Sequence, residues 1–182
     1  AAVVDAAAEL LGSAAALRLI FVERDGEARR AVEAARDAKG IDAAALAVVD
    51  ADIAALRTTT GSGARFVGNA ADHKLSPRAT GVNKRLHAAV GGVMGGGVLD
   101  ALTKAAHAPA AEPGRAYPVD LPAGCALRET EGVHCIMHCC APNLNPNKPN
   151  ALDGDDAAAR GKQMLAATYK ALFSLFKQKC AA

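Results

Sequence analysis

Short apolar runs alternate with stretches of helical spacing along most of this 182-residue chain, and that alternation constrains the fold more than any other feature. Leu17-Arg-Leu-Ile-Phe-Val22, Ala45-Leu-Ala-Val-Val49, Ala64 to Ala71, Tyr117 to Leu121 and Val133 to Cys140 are of strand length and suit burial in a sheet. Between and around them, Val3, Val4, Ala7, Leu10 and Leu11 recur at helical spacing. Glu27 to Lys39 has an acidic start and a basic end, with Gly40 just beyond it. Helices are also predicted over Val82 to Val90 and Val98 to His107. Asp155 and Asp156 open a final helix carrying the stripe Leu165, Tyr169, Leu172 and Phe176, and Lys177 and Lys179 suit its negative end. Strands alternating with helices predict an α/β sandwich with a mostly parallel sheet. Such folds bind ligands where loops leave the carboxyl ends of the strands.

The core must be built from small residues. Alanine occurs 45 times, whereas Leu, Val, Ile and Phe together occur 38 times, and there is no Trp. Near-zero net charge and strong periodicity still argue for a folded domain. With 21 basic against 19 acidic side chains there is no domain-wide basic field, so nucleic acid is only a minor hypothesis as a partner. No apolar run approaches the roughly 18 residues of a membrane span, and Asp5 and Glu9 at the front replace the basic start of a signal peptide. An intracellular protein of nucleus or cytoplasm, monomeric and without a membrane partner, is expected. Four of the five cysteines lie between Cys125 and Cys140, no spacing for a disulfide framework, which predicts reduced thiols.

Polar residues immediately after the predicted strands are the candidate site: Asp52 after Val49, Asn69 and Asp72 after Val67, and Asn143 after Cys140. Each could instead be a cap or turn residue, since Asp and Asn favour both. His134, Cys135, His138, Cys139 and Cys140 suggest zinc. Strand alternation, however, puts His134, His138 and Cys140 on one face and Cys135 and Cys139 on the other, so no metal is expected. Gly91 to Gly97 lacks the lysine and hydroxyl ending of a phosphate loop and reads as a connector. So do the loops Thr58 to Gly63 and Asn143 to Asp153. Lys84, Arg85 and His87 read as a solvated helix face, with Lys74 and Arg78 better placed for phosphate.

Ala51-Asp-Ile-Ala54, Val67-Gly-Asn-Ala-Ala-Asp72, Gly81-Val-Asn83 and His134-Cys-Ile-Met-His-Cys-Cys-Ala-Pro142 together resemble the macro domain, the ADP-ribose-binding α/β module. Asp72-His-Lys-Leu-Ser-Pro77 and Gly132 through Pro142-Asn-Leu-Asn-Pro146 are most similar to the form found in plant and algal proteins beside an aprataxin-like module. The resemblance implies a three-layer α/β/α sandwich with a mostly parallel mixed sheet. It implies that Asp52 receives the adenine amino group with Ile53 reading the ring edge, and that Asn69 and Asp72 approach the distal ribose. Lys74 to Val82, including Arg78, Thr80 and Gly81, would grip the diphosphate, with Asn83 at the start of the helix behind it, and Ala141, Pro142 and Asn143 would complete the ligand contacts. Asp72, Asn83 and Asn69 are the implied catalytic residues, and no cofactor is implied.

The implied activity is release of ADP-ribose from mono-ADP-ribosylated protein or a related ester, in a setting such as DNA repair. A non-catalytic reader of ADP-ribosylated partners and an ADP-ribose 1″-phosphate phosphatase are the alternatives. Hydrolytic members of the family often carry asparagine where this chain has Asp72 and aspartate where it has Asn83, so the two are exchanged. The family's closing helix and strand have no counterpart after Lys179, whereas a helix and a strand stand at the front. A single circularly permuted domain over 1–182 follows, with residues 1–22 in the place of those last elements and the second phosphate loop upstream of residue 1.

Overall fold

The computed structural model describes residues 2–12, 17–57, 61, 65–75, 81–91, 97–107, 111–145, 147 and 151–181. Helix α1 (Ala2–Leu11) precedes strand β1 (Leu19–Val22), and helix α2 (Gly26–Ala38) leads to β2 (Leu46–Val49). The start of α2 is set locally, because the Asp25 carboxylate accepts from the amides of Glu27 and Ala28. Its end is equally local, since Gly40 takes the left-handed conformation that a side chain would resist. Strand β3 (Phe66–Ala71) follows, then helices α3 (Gly81–Ala89) and α4 (Val98–Ala106), and strand β4 (Ala116–Asp120). A short helix α5 (Ala126–Glu131), strand β5 (Cys135–Cys140) and the long helix α6 (Ala157–Ala181) complete the order.

The strands hydrogen-bond in two sets. β1 runs parallel to β2, and β5 lies between a parallel β3 and an antiparallel β4. Alternation along β5 then divides the core. Ile136 packs with Val67, Leu86, Leu99, Val119 and Leu127 beneath α3, α4 and α5. Cys135 and Met137 pack on the other face with Leu46, Leu172, Phe173 and the small α1 residues Ala6 and Ala7. Helices therefore cover both faces, and the predicted α/β layering is the one observed. Alanine lets helices approach closely, so a chain poor in large aliphatics still fills its interior.

Three readings change. Residues 126–131 form a helix where no element was expected. The last strand begins at Cys135 and not Val133. His87 is not on a solvated face: Asn83, Leu86 and His87 form the buried stripe of α3, and of the three basic residues Lys84 and Arg85 alone are exposed. Most of the Thr58–Gly63 and Gly91–Gly97 loops lies outside the described residues.

Candidate functional site

Because β3 and β5 are parallel and in register from Phe66↔Cys135 to Ala71↔Cys140, their carboxyl ends stop side by side. Asp72 and Ala141, the next residues, therefore leave the sheet together. The negative charge of Asp72 helps burial to push the Cys140 thiol pKa up, with burial the larger cause. One oxygen of Asp72 accepts from the Lys74 amide at 3.0 Å and its carbonyl accepts from Leu75, so the chain turns sharply as β3 ends. Leu75 completes the turn at φ 52°, a left-handed conformation that strains a branched side chain. The side chain is buried against Ala111 and Cys140, and the Ala111 amide donates to the carbonyl of His73. Packing thus holds a strained turn directly behind Asp72, a situation common at ligand clamps.

The loop after β5 is also built from side-chain-to-backbone bonds. Asn143 Oδ1 accepts from the Asn145 amide and Asn145 Oδ1 from that of Asn147, while the Asn143 carbonyl accepts from Leu152. Ala141 is exposed and Pro142 and Asn143 are half-buried. Leu144 lies over α6 at Gly161, where a β-carbon would come within 2.8 Å of it.

Asp52 stands after β2, with Ile53 partly packed on the core behind it. Its Oδ1 accepts from the Ala54 amide, the turn role open from sequence, and its Oδ2 accepts from Arg85 Nε at 2.7 Å. The Arg85 guanidinium, above all, holds the Asp52 carboxyl below its usual range. This pair ties the Asp52 turn to α3, whose first turn carries Gly81, Val82 and Asn83. Gly81 has φ +70° and Val82 is exposed, while Asn83 is buried. Lys74 has an exposed side chain. Arg78 and Thr80 lie outside the described residues.

Asn69 is fully buried on β3. Its Nδ2 lies 2.8 Å from His138 Nδ1, and His138 Nε2 lies 3.1 Å from Thr103 Oγ1 on α4. Sequence reasoning assigned His138 only to a strand face. The signal that would have found its partner is the equal distance of Asn69 and His138 from the ends of two strands that pair in parallel. Burial first, then the neighbouring His87 and His107, push the His138 pKa down to about 4. Among the described residues no three His, Cys, Asp or Glu side chains come together as a metal cluster. None of their helices is long and apolar enough to cross a membrane.

No protein-family profile matches the chain. It is 32% identical over 176 residues to the Arabidopsis thaliana protein called transcription factor bHLH140. That match covers 96% of this chain and 18% of that protein, so the chain spans under a fifth of its relative's length. Among solved structures, an Oryza sativa APL macrodomain in complex with ADP-ribose superposes with a TM-score of 0.84 at 28% identity, over 97% of this chain and 85% of that one. A Dictyostelium discoideum ADP-ribose binding macrodomain superposes with a TM-score of 0.69 at 19% identity, over 94% and 80% of the two chains.

Proposed function

From the macrodomain fold of this chain, we infer that the crevice at the ends of β2, β3 and β5 binds ADP-ribose. The observation that carries this reading is the likeness, over nearly the whole chain, to a rice macrodomain in complex with that ligand. In this reading Asp52 accepts from the adenine amino group beside Ile53. The start of α3, from Gly81 to Asn83, and Lys74 face the diphosphate, where helix amides and cationic side chains favour anions, and the resemblance assigns Arg78 and Thr80 to the same group. Asn69 and Asp72 meet the distal ribose, and Ala141, Pro142 and Asn143 form the opposite wall.

We infer further that the site hydrolyses ADP-ribose from mono-ADP-ribosylated protein or a related ester. Asp72 would orient a water toward the anomeric carbon of the distal ribose. That water's oxygen forms the new bond, the bond to the modified side chain breaks, and the water's proton leaves with the side chain. Two features favour a reader as the second reading: Asp72 and Asn83 are exchanged relative to hydrolytic relatives, and one Asp72 oxygen already serves the Lys74 turn. Isothermal titration with ADP-ribose, with ADP and AMP as comparators, tests the binding reading. Selective binding of ADP-ribose supports it and absence of binding overturns it. Release of ADP-ribose from a modified protein, lost in Asp72→Ala, supports the hydrolase, and unchanged release in that variant overturns the role given to Asp72.

The chain is also read as one permuted domain, with α1 and β1 in the place of the family's last helix and strand. Support comes from the joint packing of α1 and α6 and from the parallel pairing of β1 with β2.

A further inference from the structure

Thr103 has one hydroxyl proton, and its Oγ1 donates it to the Leu99 carbonyl one helical turn earlier at 2.7 Å. Toward His138 Nε2, 3.1 Å away, that oxygen can therefore only accept, so Nε2 carries the ring proton. In a neutral imidazole the other nitrogen, Nδ1, is then an acceptor. The group facing it at 2.8 Å must be the donating Nδ2 of Asn69. The amide is thereby oriented, and its carbonyl oxygen is left over: Asn69 Oδ1 is buried and has no hydrogen-bond partner. A buried acceptor without a donor carries a desolvation cost that a ligand hydroxyl relieves.

We propose that His138 and Thr103 are positioning residues that fix the Asn69 carboxamide, so that its unpartnered oxygen is presented to a hydroxyl of the distal ribose. The chain of bonds joins β3, β5 and α4, and the direct pairing of Asn69 with His138 in the sheet register keeps it short. Burial keeps the imidazole neutral, which preserves the acceptor at Nδ1. The inference rests on the ADP-ribose reading above.

Its test compares the unaltered chain with Thr103→Val and Thr103→Ser by titration with ADP-ribose and with ADP, which lacks the distal ribose. Thr103→Val is expected to weaken ADP-ribose binding about tenfold while leaving ADP unchanged, and Thr103→Ser to restore it. Equal loss on both ligands, or no loss on either, overturns the positioning role while leaving the proposed function intact. Nitrogen-detected NMR of the histidine rings reads the same bonds with no ligand present. The Nε2-protonated tautomer of His138 is expected in the unaltered chain, and an Nδ1-protonated ring overturns the inference. Absence of ADP-ribose binding by the unaltered chain overturns the proposed function itself.

Discussion

Two nitrogens of Arg85 share one oxygen of Asp52 at 2.7 and 2.6 Å, yet both side chains remain open to solvent. Exposed pairs of this kind contribute about 0–1 kcal/mol, so the contact can yield to a ligand at small cost. Arg85→Ala is expected to raise ADP-ribose affinity by up to about fivefold in a titration, by removing a competitor for the adenine amino group. A large loss would instead make Arg85 a ligand contact. Because Arg85 lowers the Asp52 pKa, the ionised carboxylate favours the folded state above the ordinary carboxyl range, and that contribution is lost as pH falls through the lowered value. In Arg85→Ala, carbon-detected NMR should find Asp52 protonating at higher pH. The histidines act in the same direction at higher pH, for burial pushes the His138 pKa down to about 4 against an ordinary 6.5 and also lowers that of His87. Protons then bind the unfolded chain first, so stability should fall from about pH 6.5 downward, by about 1.4 kcal/mol per unit for His138. Urea unfolding at pH 7 and pH 5 checks this, and equal stabilities would contradict the buried neutral ring. At this scale Asp52, Asp72 and Asn143 were legible as residues closing apolar runs, and each also makes the turn that the sequence left open, whereas Asn69 lies within β3 and not after it. The Asp52–Arg85 pair was not, since it joins segments 33 residues apart. The phase of α3 was readable: Asn83, Leu86 and His87 recur at helical spacing, whereas Arg85 and His87 stand about 200° apart around a helix.

Helix ends that depend on local chemistry were the most legible elements. The Asp25 cap and the left-handed Gly40 bound α2 within a residue of expectation. Helix α5 has six residues, too few for periodicity, and its cap residue Cys125 offers the first turn no side-chain hydrogen bond. Its one signal was Gly132, left-handed at φ 76° just beyond its end. Between elements, Gly161 of α6 has a role that its identity alone does not reveal, because it leaves room for Leu144 of the loop after β5. Leu144 is 53% exposed and can swing aside. Gly161→Ala is therefore expected to stabilise the fold by about 0.5–1 kcal/mol through helix propensity. It should also weaken ADP-ribose binding, because the displaced leucine carries the Ala141–Asn143 wall with it. Thermal unfolding and titration of the same variant separate the two effects, and unchanged affinity would detach that loop from the ligand.

At the scale of the whole molecule, the question is whether the front of the chain is part of the domain or an appendage. Val4, Ala7 and Leu10 are buried at the α1 surface, and Ala6, Ala7 and Leu10 belong to the same apolar cluster as Met137 of β5 and Leu172 and Phe173 of α6. An alanine-rich helix buries little area per residue, so its few large side chains carry much of that contact. Leu10→Ala removes one of them from a buried site, and such truncations cost about 2–5 kcal/mol. If α1 belongs to a single cooperative unit, the variant should unfold in one transition at lower denaturant. Amide exchange should then accelerate at Met137 and Ile136 as much as within α1. If α1 is an appendage, exchange would quicken in α1 alone and the midpoint would hold, which would end the permuted single-domain reading. The sequence could propose that arrangement only through resemblance, because helical spacing in α1 says which face is apolar and nothing about the element it meets. The partner is identified only in the fold, where Ala6, Ala7 and Leu10 of α1 share one apolar cluster with Met137 of β5, Leu172 and Phe173 of α6 and Leu46 of β2.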